Sequence, residues 1–365
     1  MPQETPTAMR SATDWQHQIA EIANLQVQEN YAAVENCCAQ LLANLPPAPA
    51  GLVIQVKLQS HLTDCLEAQA RYSEAQAQLQ SAQAALTDIK AVYPNNISLP
   101  LELKVLSQQG TLARIQGQYA EAEQIFQQAL DLTETHGLRQ QPFGLKLLND
   151  LAIVYKYWGR FDAAEVLYQT ALADLIKRHG ERHIEVATIY HNLGGLHHAR
   201  RQYAEAEPYA RKSYKLHVEL LGTDHAKTIA DGAALGSILH GLGQWDEAIE
   251  FYEAAIAFFE QQFGPVHYEI AINLNNLAAS LQAKGELEQA EQAYRRALDV
   301  KETLFGPNHP DLAISLNNLA SLLQQTDQRT EAAQWFERAI SIFEATVGPD
   351  HPNTQLCREN ASKHL

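Results

Sequence analysis

The sequence predicts an all-α protein, a solenoid of stacked antiparallel helix pairs. Three observations carry that prediction. Residues recur in register every 42 positions: His183, His225, His267, His309 and His351 form one series, and Gly180, Gly222, Gly264, Gly306 and Gly348 a second. Small residues recur at the same spacing, with Ala122, Ala164, Ala206, Ala248, Ala290 and Ala332 in one series and Ala129, Ala171, Ser213, Ala255, Ala297 and Ala339 in another. Inside each period the apolar residues fall on helical stripes bounded by helix-stopping residues.

Composition agrees. The 365 residues are 46% hydrophobic and 19% charged, the balance of a folded chain, and Ala, Leu, Gln and Glu favour helix over strand. A formal charge of -16 opposes binding to nucleic acid or to an anionic membrane surface. Cys37, Cys38, Cys65 and Cys357 contain no C-x-x-C pair and are expected to pack as thiols in a reducing compartment. The opening "MPQETPTAMRSATDW" lacks the plan of a signal peptide, and no apolar run is long enough to span a membrane. A cytoplasmic protein without a cofactor is expected.

Taken in chain order, residues 1–97 are expected to hold two degenerate helix pairs. "ENYAAVENCCAQLLANL" and "ARYSEAQAQLQSAQAAL" supply their second helices. "PPAPAG" at 46–51 separates the two pairs, and "YPNNISLP" at 93–100 reads as a second break. Residues 98–350 carry six regular 42-residue units. Residues 351–365 begin one more first helix, which Asn353, Arg358, Glu359 and Lys363 make polar, as an end cap requires.

One unit shows why the period holds. In the segment from His267, Ile270, Leu274, Leu277 and Leu281 make one apolar stripe, and Gly285 ends that helix where left-handed backbone is needed. Ala290, Tyr294, Ala297 and Val300 share a face of the second helix, which Gly306 stops before Pro307 and Pro310. Ala278, Ala290 and Ala297 let the helix axes approach closely. Neither helix pair buries its stripes alone, so each unit must stack on the next.

Leu274, Leu277, Ala278, Leu281, Ala290, Tyr294 and Ala297 follow a pattern that resembles the tetratricopeptide repeat. The longer period resembles the variant of kinesin light chains, where a Gly-Pro-x-His-Pro turn lies between units, as at 306–310 here. The resemblance covers the repeats alone. It implies a right-handed solenoid whose first helices line a concave, ligand-holding face. The ligand-facing positions it implies are Asn149 and Asp150, His191 and Asn192, Ala233 and Ala234, Asn275 and Asn276, and Asn317 and Asn318. Seven residues beyond the first of each pair, nearly two turns on, lie Lys156, His198, His240, Gln282 and Gln324. Amides there can donate to and accept from a peptide backbone. Alternatively, the second Asn of a pair bonds a neighbouring helix and orders the stack.

Residues 177–217 hold eight bases against four acids, and residues 225–276 one base against seven acids. Such blocks either orient a bipolar partner or another copy of the chain, or are solvated faces. Among the fifteen His, five belong to the repeat turn, and His197 takes the slot of Tyr155 and Leu281, a core position. His191, His198 and His240 offer no complete zinc shell, because neighbouring helices lie roughly 10 Å apart and no carboxylate or Cys completes the set. "LGGLHHA" at 193–199 sits within a helix and is no phosphate loop. No nucleophile has a registered His and Asp, so no catalytic residue is expected. The expected function is a non-catalytic scaffold holding a peptide or helix of a partner protein. A self-assembling or regulatory solenoid acting through its charged outer face is the alternative, and a His-dependent metal protein a remote third.

Overall fold

A computed structural model describes residues 12–28 and 30–362. The opening of the chain, expected to be no signal peptide, and Lys363 lie outside the described residues. Among the described residues there are seventeen helices and no strand. The chain divides into two compact units, residues 1–174 and 175–365.

The first unit holds α1 (Ala12–Val27), α2 (Tyr31–Leu42), α3 (Ala50–Ala68), α4 (Tyr72–Val92), α5 (Asn95–Ile115), α6 (Tyr119–Thr135), α7 (Pro142–Tyr157) and most of α8 (Phe161–His179). The second holds α9 (Ile184–Ala199), α10 (Tyr203–Leu221), α11 (Ala226–Gly241), α12 (Trp245–Phe263), α13 (Tyr268–Lys284), α14 (Leu287–Phe305), α15 (Pro310–Gln325), α16 (Arg329–Thr346) and α17 (Pro352–Ser362). Each helix packs on its successor from α1 to α7 and from α9 to α17, and odd-numbered helices also touch one another: α3 with α5 and α5 with α7, then α9 with α11 and α11 with α13. That is the α-solenoid arrangement of stacked helix pairs. The two N-terminal segments read as second helices are α2 and α4.

Burial explains the small-residue series. All six residues of the Ala122 series and all six of the Ala129 series are buried, none more than 2% exposed. A Cβ added to Gly110 would lie 2.6 Å from the Phe126 ring, and one on Gly236 would lie 3.1 Å from the Tyr252 ring. The first helix must therefore stay small where the second presents an aromatic side chain. At the turns, Gly285 caps α13 with φ 95° and ψ 7°, in the left-handed region. The glycine series from Gly180 to Gly348 likewise takes positive φ throughout.

The turn histidines are helix caps. The Nδ1 atoms of His183, His225, His267 and His309 accept the backbone N–H two residues on, at 3.1–3.3 Å. An acceptor at this site satisfies one of the orphan donors of a helix start, the role that Ser or Asp fills elsewhere. The rings also stack on the preceding helix, His267 on Phe263 at 4.6 Å and His309 on Phe305 at 4.5 Å.

Three expectations need correction. Residues 95–100 are no break: α5 begins at Asn95 and contains Pro100. Pro100 lacks an N–H, but the carbonyl it leaves unpaired, four residues back on Asn96, belongs to an exposed residue that water can reach. The two charge blocks are not simply solvated faces either, since an ion pair crosses between them. Arg211 pairs with Glu247 at 2.7 Å, joining one block to the other. The same 36-residue step joins Arg71 to Glu35, Arg295 to Glu331 and Arg338 to Glu302, a ladder between successive second helices. Finally Asp231, one of the seven acids, is 4% exposed and faces the interior. The cysteines are free thiols; Cys38, Cys65 and Cys357 are buried, and burial pushes Cys38 up to about 12 and Cys357 to about 11.

Candidate functional site: the first-helix face

All fifteen residues read as ligand-facing are half-buried. Their hydrogen bonds divide them. In the second unit the first residue of a pair ties its helix to the next first helix: Asn275 Nδ2 donates to Ser315 Oγ at 2.9 Å, and Asn360 Nδ2 donates to Asn317 Oδ1 at 3.1 Å. His191 Nδ1 meets Asp231 Oδ1 at 2.7 Å in the same register. The positions seven residues later also tie the stack, His240 Nδ1 to Ser280 Oγ at 2.9 Å and Gln282 Nε2 to Gln325 Oε1 at 2.9 Å. Burial holds His240 below the usual imidazole range. His198 lies edge-on to Tyr203 at 5.5 Å.

The stack-ordering role thus falls to the first Asn, not to the second as one reading had it. The reason is helical rotation: a step of one residue turns a side chain by about 100°, from the adjoining helix toward the open side. Among the described residues, the side-chain amides of Asn276 and Gln324 have no hydrogen-bond partner, and Asn318 accepts only from its neighbour Asn317, at 3.5 Å. Asn192 takes the corresponding position on α9 and is half-buried.

In the first unit, Asn149 donates to Asp150 Oδ1 at 3.4 Å, and Asp150 pairs with Lys146 at 2.5 Å. Lys156 is half-buried, lies over the Tyr157 ring at 5.0 Å and has no carboxylate partner among the described residues. Burial, and then the nearby Arg114 charge, holds its ammonium below the usual lysine range. Ser107, Gln108 and Arg114 stand 42 residues before Asn149, Asp150 and Lys156 on the same face, and extending the register back one unit would have found them.

The fifth and sixth repeats hold a polar cluster that the sequence did not announce. Asp231 accepts from His191 Nδ1, from His217 Nδ1 at 2.8 Å and from the Ser213 hydroxyl. Ser213 also lies 2.9 Å from the Ala187 carbonyl oxygen. Burial pushes Asp231 up, but the three donors outweigh it and hold the carboxyl below its ordinary value. This explains the single polar residue in the Ala129 series: Ser213 serves Asp231. It also supplies a carboxylate beside His191 that sequence reasoning lacked, since these residues lie on three helices. The cluster is no nucleophilic triad, because His191 and His217 both turn Nδ1 to Asp231 and, among the described residues, no contact sets an imidazole as base against Ser213 Oγ. A cavity of about 190 Å³ opens beside it, where Ala210 replaces the aromatic residue of neighbouring repeats and Ala234 replaces Asn276's counterpart.

Among the described residues one group of three has metal-ligand spacing, His179, His183 and Glu185. The two rings stack at 4.2 Å with planes 14° apart. Their lone pairs run nearly parallel, so one ion cannot lie in both ring planes, and His183 Nδ1 already accepts from Glu185 N–H. The pair repeats the ring-on-histidine stack of the other turns. His197 is 7% exposed and stacks on Tyr209 at 5.5 Å, a packed core group.

The family model described as Tetratricopeptide repeat matches residues 101–177, 185–261, 229–303, 269–345 and 311–363. No curated protein matches the chain. Among solved structures, BtubC (BKLC) from P. vanneervenii is 23% identical, covering 65% of this chain and 93% of that one with a TM-score of 0.53. The Rap protein complexed with Competence and Sporulation Factor is 13% identical, covering 96% and 97% with a TM-score of 0.61. NprR in complex with its cognate peptide NprX is also 13% identical, with the same coverage and a TM-score of 0.55. These likenesses are likenesses of fold.

Proposed function

Since the chain belongs to the tetratricopeptide-repeat family, we propose that it is a non-catalytic interaction scaffold whose first-helix face holds an extended peptide segment of a partner protein. The observation that carries this reading is the set of half-buried amides left without partners, Asn276 and Gln324, with Asn318 nearly so. Water still reaches these amides, and a peptide backbone offers donors and acceptors that can replace it. Neighbouring first helices lie roughly 10 Å apart, which matches three residues of extended chain at about 3.3 Å each. Asn276 and Asn318 would therefore address every third peptide unit. Two of the fold relatives carry peptide or factor ligands by their printed descriptions, a precedent for what this architecture can hold. Four pairs of the 36-residue ladder tie outer charges to one another, which weighs against assembly through that face.

The test is selection of a displayed random-peptide library on the whole protein, followed by binding titrations. Asn276→Ala with Asn318→Ala is expected to weaken the selected peptide about tenfold or more, with helical circular dichroism unchanged. Asn275→Ala is expected to lower thermal stability instead. Equal peptide affinity in the double variant refutes the assignment.

A further inference from the structure

A cavity of about 380 Å³ opens among α3, α5, α6 and α7 of the first unit, at the small end of the range for ligand sites. Charged and polar groups line it in an arrangement that does not close on itself. Lys104 pairs with Asp64 at 2.9 Å, and Lys146 pairs with Asp150 at 2.5 Å. Those two pairs neutralise each other's charges. Ser107 and Thr111 bond to Asp150 and to the Ser107 carbonyl, respectively, which leaves three polar lining groups to account for.

Gln108 is 3% exposed. Its amide nitrogen donates to the Ser60 carbonyl at 2.7 Å and to Asp64 at 2.6 Å, which fixes the opposite atom, Oε1, as an acceptor. Among the described residues that buried Oε1 has no partner, and neither has the buried Oε1 of Glu67. Of the nine buried side-chain polar atoms without a partner among the described residues, two thus belong to groups lining this one cavity, and both are oxygens that can accept from a donor. The third group is Arg114. It is half-buried, makes no ion pair among the described residues, and lies over the Tyr157 ring at 5.4 Å. The cavity therefore offers both acceptors and a cation. Phe126 and Ile153 add an apolar wall.

We propose that this cavity binds a small zwitterion, a free α-amino acid with an apolar side chain. Its ammonium donates to Glu67 and Gln108, its carboxylate pairs with Arg114, and its side chain lies against Phe126 and Ile153. Charge-assisted bonds of this kind are about twice as strong as neutral ones, and a guanidinium suits a carboxylate through its paired N–H groups. The site uses none of Asn276, Asn318 or Gln324, so it stands apart from the peptide reading. It would make the first unit a receptor for a metabolite.

Isothermal titration calorimetry of the whole protein with L-leucine tests this, with N-acetyl-L-leucine and L-leucinamide as probes lacking one charge each. Saturable binding of leucine is expected, with both derivatives weaker by about tenfold or more. Glu67→Gln and Arg114→Gln are each expected to weaken leucine by a similar factor while circular dichroism stays unchanged. No leucine heat at about 10 mM ligand, where a millimolar site would be filled, overturns the proposal. So does equal binding of either derivative. If Glu67→Gln fails to fold, Arg114→Gln and the two derivatives decide the matter.

Discussion

Replacing His267 tests the claim that the repeat histidine is a helix cap. Its Nδ1 accepts Glu269 N–H at 3.2 Å, and its ring stacks on Phe263 at 4.6 Å and on Phe259 at 5.4 Å. Two substitutions separate the cap from the stack. Asn at this position keeps an acceptor for the helix start and loses the ring. Ala loses both. A side-chain cap contributes about 1 kcal/mol, and an aromatic contact adds about 0.5–1.5 kcal/mol. His267→Asn is therefore expected to cost about 0.5–1.5 kcal/mol, and His267→Ala about 1 kcal/mol more. Native-state hydrogen exchange is the appropriate assay, because opening in a solenoid is local and each unit is read separately. Amides in the first turn of α13 should exchange roughly fivefold faster in the Ala variant than in the Asn variant. Equal exchange in the two variants would refute the cap, leaving the series explained by ring stacking alone.

Other perturbations follow from the same contacts. Gly110→Ala places a Cβ 2.6 Å from the Phe126 ring, and a loss of about 1–3 kcal/mol is expected in urea unfolding, partly relieved by adding Phe126→Leu. Asp231→Asn sets an amide against three donors in a buried site, so a loss of about 2–4 kcal/mol is expected, read as an earlier unfolding transition. Burial, helped by repulsion from Asp64, raises the Glu67 carboxyl to about 7 from its ordinary 4.5. The folded state then holds that proton more tightly than the unfolded chain. The resulting stabilisation is full below about 4.5 and lost as pH rises through about 7. Urea midpoints taken across this range should fall less with pH in Glu67→Gln than in the unsubstituted protein.

The stacked helix pairs were legible because stacking imposes the same packing requirement on every unit. Ala290 and its relatives recur since a larger side chain would push neighbouring helices apart, and Gly285 recurs as a turn that needs positive φ. Such requirements are local and periodic, so they print themselves in the letters. The first-helix face was only partly legible. Its positions could be placed on a helix by spacing, but Asn275 and Asn276 are the same letter, and only their directions distinguish a stack-ordering amide from an open one. Ser107, Gln108 and Arg114 escaped because their repeat has lost the Asn signature while keeping the register.

By itself, the sequence determined the all-helical solenoid, the glycine turns of its regular repeats and the residues at the close contacts between helices, because each follows from neighbours at fixed spacing. Tertiary structure alone decided which polar groups meet. Asp231 draws its three donors from α9 and α10, and the cavity with Glu67, Gln108 and Arg114 is assembled from helices far apart in the chain. The physical reason is that a hydrogen bond depends on direction and distance to within a few tenths of an ångström, whereas an apolar contact depends mainly on area. Periodicity carries area well and carries direction poorly.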